Sequence, residues 1–360
     1  MGMKAVIMAG GGGTRLWPVS RVSSPKQVTP FTDHETLLEK TYSRLEGYFD
    51  PNDIWVAVGV DHLSQVRKQL PSVPRANYSV EPERKDTAAA IGLAAVRISA
   101  REPDAVIVTI NSDAYLRNRQ AYFRAIKVAE KAIRYYPDHT VLIGVKPAYP
   151  ETGYGYIRLG SELRRIDRMP IYRVGRFVEK PSPARAKRFI RDGRHLWNPA
   201  LFVWRVDHLM HLFAAHLPHT YRILRRIHNS IGTKRESSEI KLEYAKIRPI
   251  SIDYGILEKT RQMIVVPGTF DWVDVGHWRT VQDVLSPRPN ENVVDGMHIG
   301  IDTTGSFIRG SVNKLIATVG IHDIIIVDTE DALLVCPRER AQDVRQIVEE
   351  LRRRKMTQYL

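Results

Sequence analysis

Four consecutive glycines, Gly10, Gly11, Gly12 and Gly13, stand just behind the short run Lys4-Ala5-Val6-Ile7-Met8. The run reads as a buried strand. Glycines placed after it let the backbone turn sharply and aim N–H groups at a ligand with no Cβ in the way. Thr14, Arg15 and Lys26 follow, and the last two bring permanent positive charge to the same loop. A glycine loop after a first strand, followed by Arg and Lys, is suited to gripping phosphates. Two common glycine motifs do not fit. Arg15 stands five residues after Gly10, where Walker A needs the glycine before its lysine, and Leu16 stands five after Gly11, where the dinucleotide fingerprint needs its last glycine. By themselves the glycines suit a surface turn equally well.

Beyond the loop, apolar runs at 54–58, 105–110 and 141–145 alternate with helical patterns at 36–48, 62–70, 87–101 and 120–135. This alternation predicts an α/β fold with a Rossmann-like, mostly parallel or mixed sheet flanked by helices. Ligands of such sheets sit beyond the carboxyl ends of the strands. The glycine loop after Met8 and Asn111-Ser112-Asp113 after Ile110 fall at those ends, so both point at one crevice. Further strands are expected at 172–179, 201–205 and 263–267, and helices at 183–192 and 206–216. Pro287-Arg288-Pro289-Asn290 reads as a linker. It separates a large region, 1–287, from a small β-rich one, 288–360, which closes with an amphipathic helix over 340–354.

A chain of 360 residues can bury a large core. Cys336 is its only cysteine, so neither an internal disulfide nor a thiolate zinc site can form, and the residue is expected in a buried strand. No apolar run approaches the roughly 20 residues of a membrane span, and a cytoplasmic enzyme with no membrane partner is expected. The net charge of +14 invites a nucleic-acid reading. Twelve Lys/Arg against four acids fall within 156–195, but no aromatic residues interleave regularly with them as a stacking platform requires. Nucleic acid is therefore not the expected partner. Most of these charges should form solvated faces, and some should attract phosphorylated substrates. The histidines form no metal-spaced pair.

The stretch from Gly10 through Leu16-Trp17-Pro18-Val19-Ser20-Arg21 to Ser24-Pro25-Lys26-Gln27 resembles the signature of the sugar-1-phosphate nucleotidyltransferases, in the form carried by mannose-1-phosphate guanylyltransferases. Seven further segments are similar in the family's order. They are Glu81-Pro82, Asn111-Ser112-Asp113, Thr152-Gly153-Tyr154-Gly155-Tyr156-Ile157 and Phe177-Val178-Glu179-Lys180-Pro181, then Trp197-Asn198-Pro199-Ala200-Leu201-Phe202, Ser251-Ile252-Asp253-Tyr254 and Asp271-Trp272-Val273-Asp274-Val275-Gly276. The resemblance implies attack of a sugar 1-phosphate oxygen on the α-phosphate of a nucleoside triphosphate, here mannose 1-phosphate on GTP. It also implies Mg²⁺ or another divalent cation, a short left-handed β-helix in the C-terminal region, and a homodimer. Longer relatives fused to an isomerase need about a hundred more residues, so that second activity is not expected.

Residue by residue, the resemblance implies that Arg15 and Lys26 neutralise the triphosphate held by Gly10–Gly13 and Thr14. Asp113 and Asp274 match the metal carboxylates, with Asp271 a close competitor for the second place. Glu81, Asp86 and Thr87 fall in the base-contacting segment. Gly155, Glu179, Lys180, Asn198 and Asp253 match positions that hold the sugar phosphate. Glu179 and Lys180 could instead form a structural ion pair, and Asn198 could cap a turn before Pro199. Two departures from the pattern stand out. Ala114 replaces a histidine, and Asp86 replaces an asparagine that could donate to guanine O6, which a carboxylate cannot. The same chemistry on another base or sugar (UTP or dTTP with a hexose 1-phosphate) and a non-catalytic GDP-mannose-binding homologue remain as alternatives.

Overall fold

A computed structural model describes every residue except Met1, Gly12, Thr32, Asp33, His34, Pro287, Pro289 and Val312. Among the site candidates, Gly12 therefore lies outside the described residues, as do the two prolines of the expected linker. The chain divides into two compact units that do not follow one cut in the sequence. The first comprises the residues up to Ala9, Arg44–Asn111 and Leu116–Trp272. The second comprises Gly10–Ser43, Ser112–Tyr115 and Val273–Leu360.

In chain order the strands up to the end of the first unit are β1 (Lys4–Met8), β2 (Ile54–Gly59), β3 (Tyr78–Glu81), β4 (Val106–Asn111), β5 (Ala114–Arg117) and β6 (Thr140–Val145). They continue with β7 (Gly155–Ile166), β8 (Met169–Val178), β9 (His195–Arg205), β10 (Met263–Gly268) and β11 (Asp271–Asp274). The helices are α1 (Leu37–Leu45), α2 (Leu63–Gln69), α3 (Asp86–Ser99), α4 (Arg119–Tyr135), α5 (Pro183–Asp192), α6 (Val206–His216), α7 (Pro218–Ser230) and α8 (Glu236–Tyr244). Nine strands form one sheet in the order β3-β2-β1-β4-β9-β6-β10-β8-β7, and β5 pairs with β11 apart from it.

Strands β1 to β4 run parallel, and β9 enters antiparallel between β4 and β6, so of the mostly parallel or mixed sheet expected the mixed form is found. The near-continuous apolar sequence of β1, β2 and β6 fits strands covered on both faces. Met8 pairs with Asn111, so the chain leaves the sheet at the same end after β1 and after β4, as the strand-end argument predicts. Helix α3 covers the sheet with an almost wholly buried Ala-rich surface. Gly92 permits this close packing, since a Cβ there would stand 2.6 Å from Leu224 Cδ1 of α7.

The sequence reading does not contain β3, β5, β11, α7 or α8, and β9 and β7 also differ from it. Strand β9 begins at His195, so Asn198 lies within a strand, and there its Oδ1 accepts the Ala200 N–H at 3.0 Å in the manner of an Asx-turn. Strand β7 was hidden by its charge: Glu162, Arg164 and Arg165 sit on the edge of the sheet, where one face stays in water.

The second unit holds α9 (Trp278–Leu285), α10 (Val344–Arg353) and six short strands: β12 (Val293–Asp295), β13 (Met297–Ile301), β14 (Phe307–Arg309), β15 (Leu315–Val319), β16 (Ile324–Asp328) and β17 (Leu333–Pro337). Phe307 pairs in parallel with both Val293 and Ile325, and Met297 with Leu315, so the chain winds in coils of parallel strands. The antiparallel strand β17 closes the stack on β16, and Cys336 lies on it only partly buried. On β13 and β15 the usual patterning is inverted. Met297, Ile299, Ile301, Leu315, Ala317 and Val319 are exposed, while His298 and Thr318 turn inward and share a 2.8 Å hydrogen bond.

The core of this unit explains why the Leu16–Arg21 stretch belongs to it. Trp278 is fully buried, stacks on Phe307 and meets the edge of Phe31. Its indole donates to Trp17 O at 2.9 Å, and the Trp17 indole donates to Tyr359 O at 2.8 Å. Arg21 bonds Asp331 at 2.7 Å.

Candidate active site

In the second unit, four of the predicted residues gather at the glycine loop. Gly13 adopts φ 56°, a left-handed conformation natural to glycine, and a Cβ there would stand 2.9 Å from Lys26 Cβ. Thr14 opens the short helical turn Thr14–Leu16, which carries Arg15. The Lys26 ammonium is buried and lies 2.7 Å from Asp113 Oδ2 and 3.5 Å from Asp274 Oδ1. It also donates to Val275 O at 3.2 Å. Burial lowers the Lys26 pKa, but Asp113 and Asp274 outweigh it and hold the ammonium above its ordinary value. The two carboxylate oxygens can be no farther apart than the two lengths that tie them to one nitrogen. Val275 N–H donates to Asp113 O at 3.3 Å, so segments far apart in sequence are tied by backbone as well.

Arg15 lies beside this pair. A Cβ at Gly276 would stand 3.1 Å from Asp274 Oδ2 and 3.8 Å from the Arg15 guanidinium. Asp274 ends a strand and does not lie in a turn, while its competitor Asp271, at the start of that strand, is exposed. Ala114, where the family pattern has histidine, is buried. His277 was not foreseen. It caps α9 through a capping box with Thr280, and burial, then the charge of Arg15, lower its pKa to about 4. A neutral imidazole thus sits beside the cationic loop.

Among the described residues, no group of three or more His, Cys, Asp or Glu side chains could hold a metal. The donor set does fit a hard divalent cation. Asp113 and Asp274 converge on one positive charge, and Mg²⁺ commonly takes one or two carboxylates and completes its octahedron with phosphate oxygens and water.

In the first unit, a second group forms where β7, β8, β9 and the π-helical turn Asp253–Leu257 meet. Gly155 pairs with Asn198 across β7 and β9. A Cβ on Gly155 would come within 2.5 Å of Glu179 Oε2 and 3.1 Å of Asn198 Cβ, so glycine leaves this corner open. Asn198 Nδ2 donates to Asp253 Oδ1 at 3.1 Å, while its Oδ1 accepts from Ala200 N–H. Glu179 pairs with Lys180 at 3.0 Å, and Lys180 adopts φ 44°. Burial, then the charge of Glu179, push the Asp253 carboxyl up to about 7. Burial also raises Glu179, against the pull of Lys180. Glu258, which the sequence did not single out, accepts the Glu179 N–H at 3.0 Å and adds a third carboxylate.

Glu81, Asp86 and Thr87 prove unlike one another. Glu81 is buried at the end of β3 and accepts a 2.6 Å hydrogen bond from Tyr244 OH. Burial pushes its carboxyl up to about 7. Asp86 is exposed at φ 65°, and its carboxylate accepts from the adjacent Thr87 N–H at 2.7 Å. Thr87 Oγ1 accepts Ile252 N–H at 2.9 Å and so anchors the segment leading to Asp253. Tyr244, on α8, carries no motif that would reveal it in sequence.

A family model described as nucleotidyl transferase matches residues 4–287, and one described as a MannoseP isomerase/GMP-like beta-helix domain matches 296–351. The chain belongs to the nucleotidyl transferase family. Over 359 residues it is 34% identical to a mannose-1-phosphate guanylyltransferase of Escherichia coli, spanning 98% of this chain and 75% of that protein. It is 32% identical over 356 residues to the alginate biosynthesis protein AlgA of Pseudomonas aeruginosa, spanning 97% and 72%. A crystal structure from Thermus thermophilus, described as a mannose-1-phosphate geranyltransferase, matches with TM-score 0.87 and 35% identity over 98% of this chain and 100% of that one. The family resemblance carried by the glycine loop and the seven matching segments is borne out, as is an α/β fold with a β-rich C-terminal region. No helix among the described residues is long and apolar enough to cross a membrane.

Proposed function

We propose that this protein transfers GMP from GTP to α-D-mannose 1-phosphate, giving GDP-mannose and diphosphate. A phosphate oxygen of mannose 1-phosphate forms a bond to the α-phosphorus as the bond to the β-phosphate bridge breaks. Both reactants are anions, so catalysis rests on positioning and charge neutralisation. The observation that carries the reading is the convergence of Asp113 and Asp274 on buried Lys26, with Arg15 beside them at the glycine loop.

In this reading Lys26 and Arg15 hold the triphosphate against the N–H groups of Gly10, Gly11, Gly12 and Gly13 and beside Thr14. Asp113 and Asp274 hold Mg²⁺, which when bound screens the phosphates and polarises the α-phosphate. Lys180 takes the sugar phosphate. Glu179, Asp253 and Asn198 bind sugar hydroxyls, and Gly155 leaves them room. Glu81, with Thr87 ordering the adjoining segment, accepts from guanine N1–H and N2–H₂, while Asp86 serves chiefly to start α3. Residues 1–287 supply the transferase region and 288–360 the β-helix. The enzyme works in the cytoplasm.

The experiment is a diphosphate-release assay offering four nucleoside triphosphates against mannose, glucose and N-acetylglucosamine 1-phosphates. GTP with mannose 1-phosphate should turn over fastest. A tenfold preference for UTP or dTTP would overturn the guanylyl reading. Tight GDP-mannose binding without turnover would favour a regulatory homologue.

A homodimer completes the proposal. The six outward apolar side chains of β13 and β15 leave on the order of 500 Å² of apolar surface in water, at the upper end for a monomer's largest patch. A stable interface buries about 800 Å² per partner, so this face on a second copy supplies most of what a dimer needs. Sedimentation should find a dimer for the wild type and a monomer for Ile299→Asp. A wild-type monomer at micromolar concentration would refute it.

A further inference from the structure

The basic run within 156–195 is not absorbed by the proposed reaction. Strands β8 and β10 pair only where Tyr172 and Arg173 meet Val265 and Ile264. Beside this short pairing, a cleft of about 790 Å³ lies among β8, the start of α5 and residues 257–263. Arg173, Arg176, Arg185, Lys259 and Arg261 line it, against only Glu179 and Glu258.

Elsewhere in the same unit several guanidinium groups have carboxylate partners: Arg97 with Glu236 at 2.5 Å, Arg205 with Asp207 at 2.7 Å, Arg226 with Glu243 at 3.1 Å. Among the described residues, none of the five cleft cations pairs with a carboxylate. The two cleft acids are already engaged, Glu179 with Lys180 and Glu258 with the Glu179 N–H. Like charges gathered around one concave surface repel, and apolar walls such as Val174, Phe177 and Met263 concentrate their field.

We propose that this cleft binds an anion of the diphosphate class. With Glu179 matched by Lys180, five cations face Glu258 alone and leave four positive charges unbalanced. One phosphate group carries about −1.5 to −2 at neutral pH, so two linked groups approach the balance and one does not. Arginine predominates, and its planar fork matches two phosphate oxygens at once. Inorganic diphosphate meets this balance best; the diphosphate bridge of a nucleotide sugar presents the same paired phosphate oxygens with only about two negative charges, so it is the second source the test must separate. Since Glu179 lines the cleft, an anion held there lies beside a residue proposed to bind the sugar. Binding itself does not depend on the proposed reaction.

The test is calorimetric titration of the full chain in EDTA, with inorganic diphosphate, GDP and GDP-mannose as separate arms. Diphosphate should bind, and more weakly as salt rises. In Arg176→Gln/Arg261→Gln its affinity should fall at least tenfold, and in the single variant Arg261→Gln about threefold, each with an unchanged thermal midpoint. Lys26→Ala, altered at the glycine loop, should retain the binding. Tighter GDP-mannose than diphosphate, with the same loss in the double variant, identifies the bridged source, and the reverse order identifies the free anion. No diphosphate binding by the wild type, wild-type affinity in the double variant, or loss of all binding in Lys26→Ala would overturn the proposal. Because no turnover is read, failure here leaves the proposed reaction untouched, and failure of the turnover assay leaves this site untouched.

Discussion

The two groups of acids in this protein are built on opposite electrostatic plans. In the second unit Asp113 and Asp274 face a buried ammonium, so opposite charges hold one another in place. In the first unit Glu179, Asp253 and Glu258 lie near one another with one exposed lysine beside them, and burial, then the charge of Glu179, push the Asp253 carboxyl up to about 7. The first plan suits fixed charge against phosphates and metal. The second suits hydroxyl recognition, where a carboxyl that both donates and accepts is an advantage. Residue type alone does not separate these roles; the partner across the gap does.

The sharpest way to break the contrast is to neutralise the charged plan. Asp113→Asn and Asp274→Asn should each lower turnover about 100-fold or more, near 3 kcal/mol, as expected for loss of a preorganised charge contact. Their melting points should stay near wild type, because Lys26 keeps one carboxylate. Steady-state diphosphate release with a thermal melt measures both, and activity within threefold of wild type would show these acids to be structural.

A smaller effect is expected in the other unit. Lys180→Ala should raise the KM for mannose 1-phosphate about tenfold, or 1.4 kcal/mol, and leave that for GTP within twofold. The lysine is more than half exposed, so solvent screens its contact. Equal effects on both substrates would remove the distinction between the two sets.

The subtlest effect concerns Glu81, whose pKa burial raises to about 7. If its ionised form accepts from guanine, GTP affinity is present above that pH and is lost as pH falls through it. The Tyr244 hydroxyl stabilises the ionised form, so Tyr244→Phe should move the midpoint of the GTP KM profile to higher pH, with a change of only a few-fold at pH 8. A profile flat from pH 6 to 8 in both proteins would take Glu81 out of base recognition.

Some of this was legible in sequence because the signal was local. The strand before the glycines and the Ala-rich helix α3 each declare themselves within about fifteen residues. The glycine loop, Lys26, Asp113 and Asp274 could be grouped only through resemblance, since the tie from Lys26 to Asp274 spans 248 positions. Strand β7 was missed because edge strands tolerate charge, and the start of β9 because Asn198-Pro199 reads as a turn. Tyr244 and Glu258 gave no signal at all. Each matters for what lies opposite it, and no spacing rule carries that information. The cation cleft is similar: sequence revealed an excess of charge, and only the fold revealed which charges lack a carboxylate partner among the described residues.

The hydrogen bond from the Trp17 indole to Tyr359 O has a consequence for how the molecule is made. Its ends lie 342 positions apart. During synthesis at roughly 5–20 residues per second, the glycine loop emerges well before the strand coils and the segment around Tyr359 that pin it, and must wait tens of seconds for them. Over that interval the nine-stranded sheet can form from its own residues, while the glycine loop, Trp17 and Phe31 have no core to enter. A nascent chain therefore acquires its architecture before its chemistry, and the residue that closes the loop is translated 342 positions after Trp17. Ribosome-bound chains stalled before residue 273 should be folded in the sheet yet unable to hold a nucleotide.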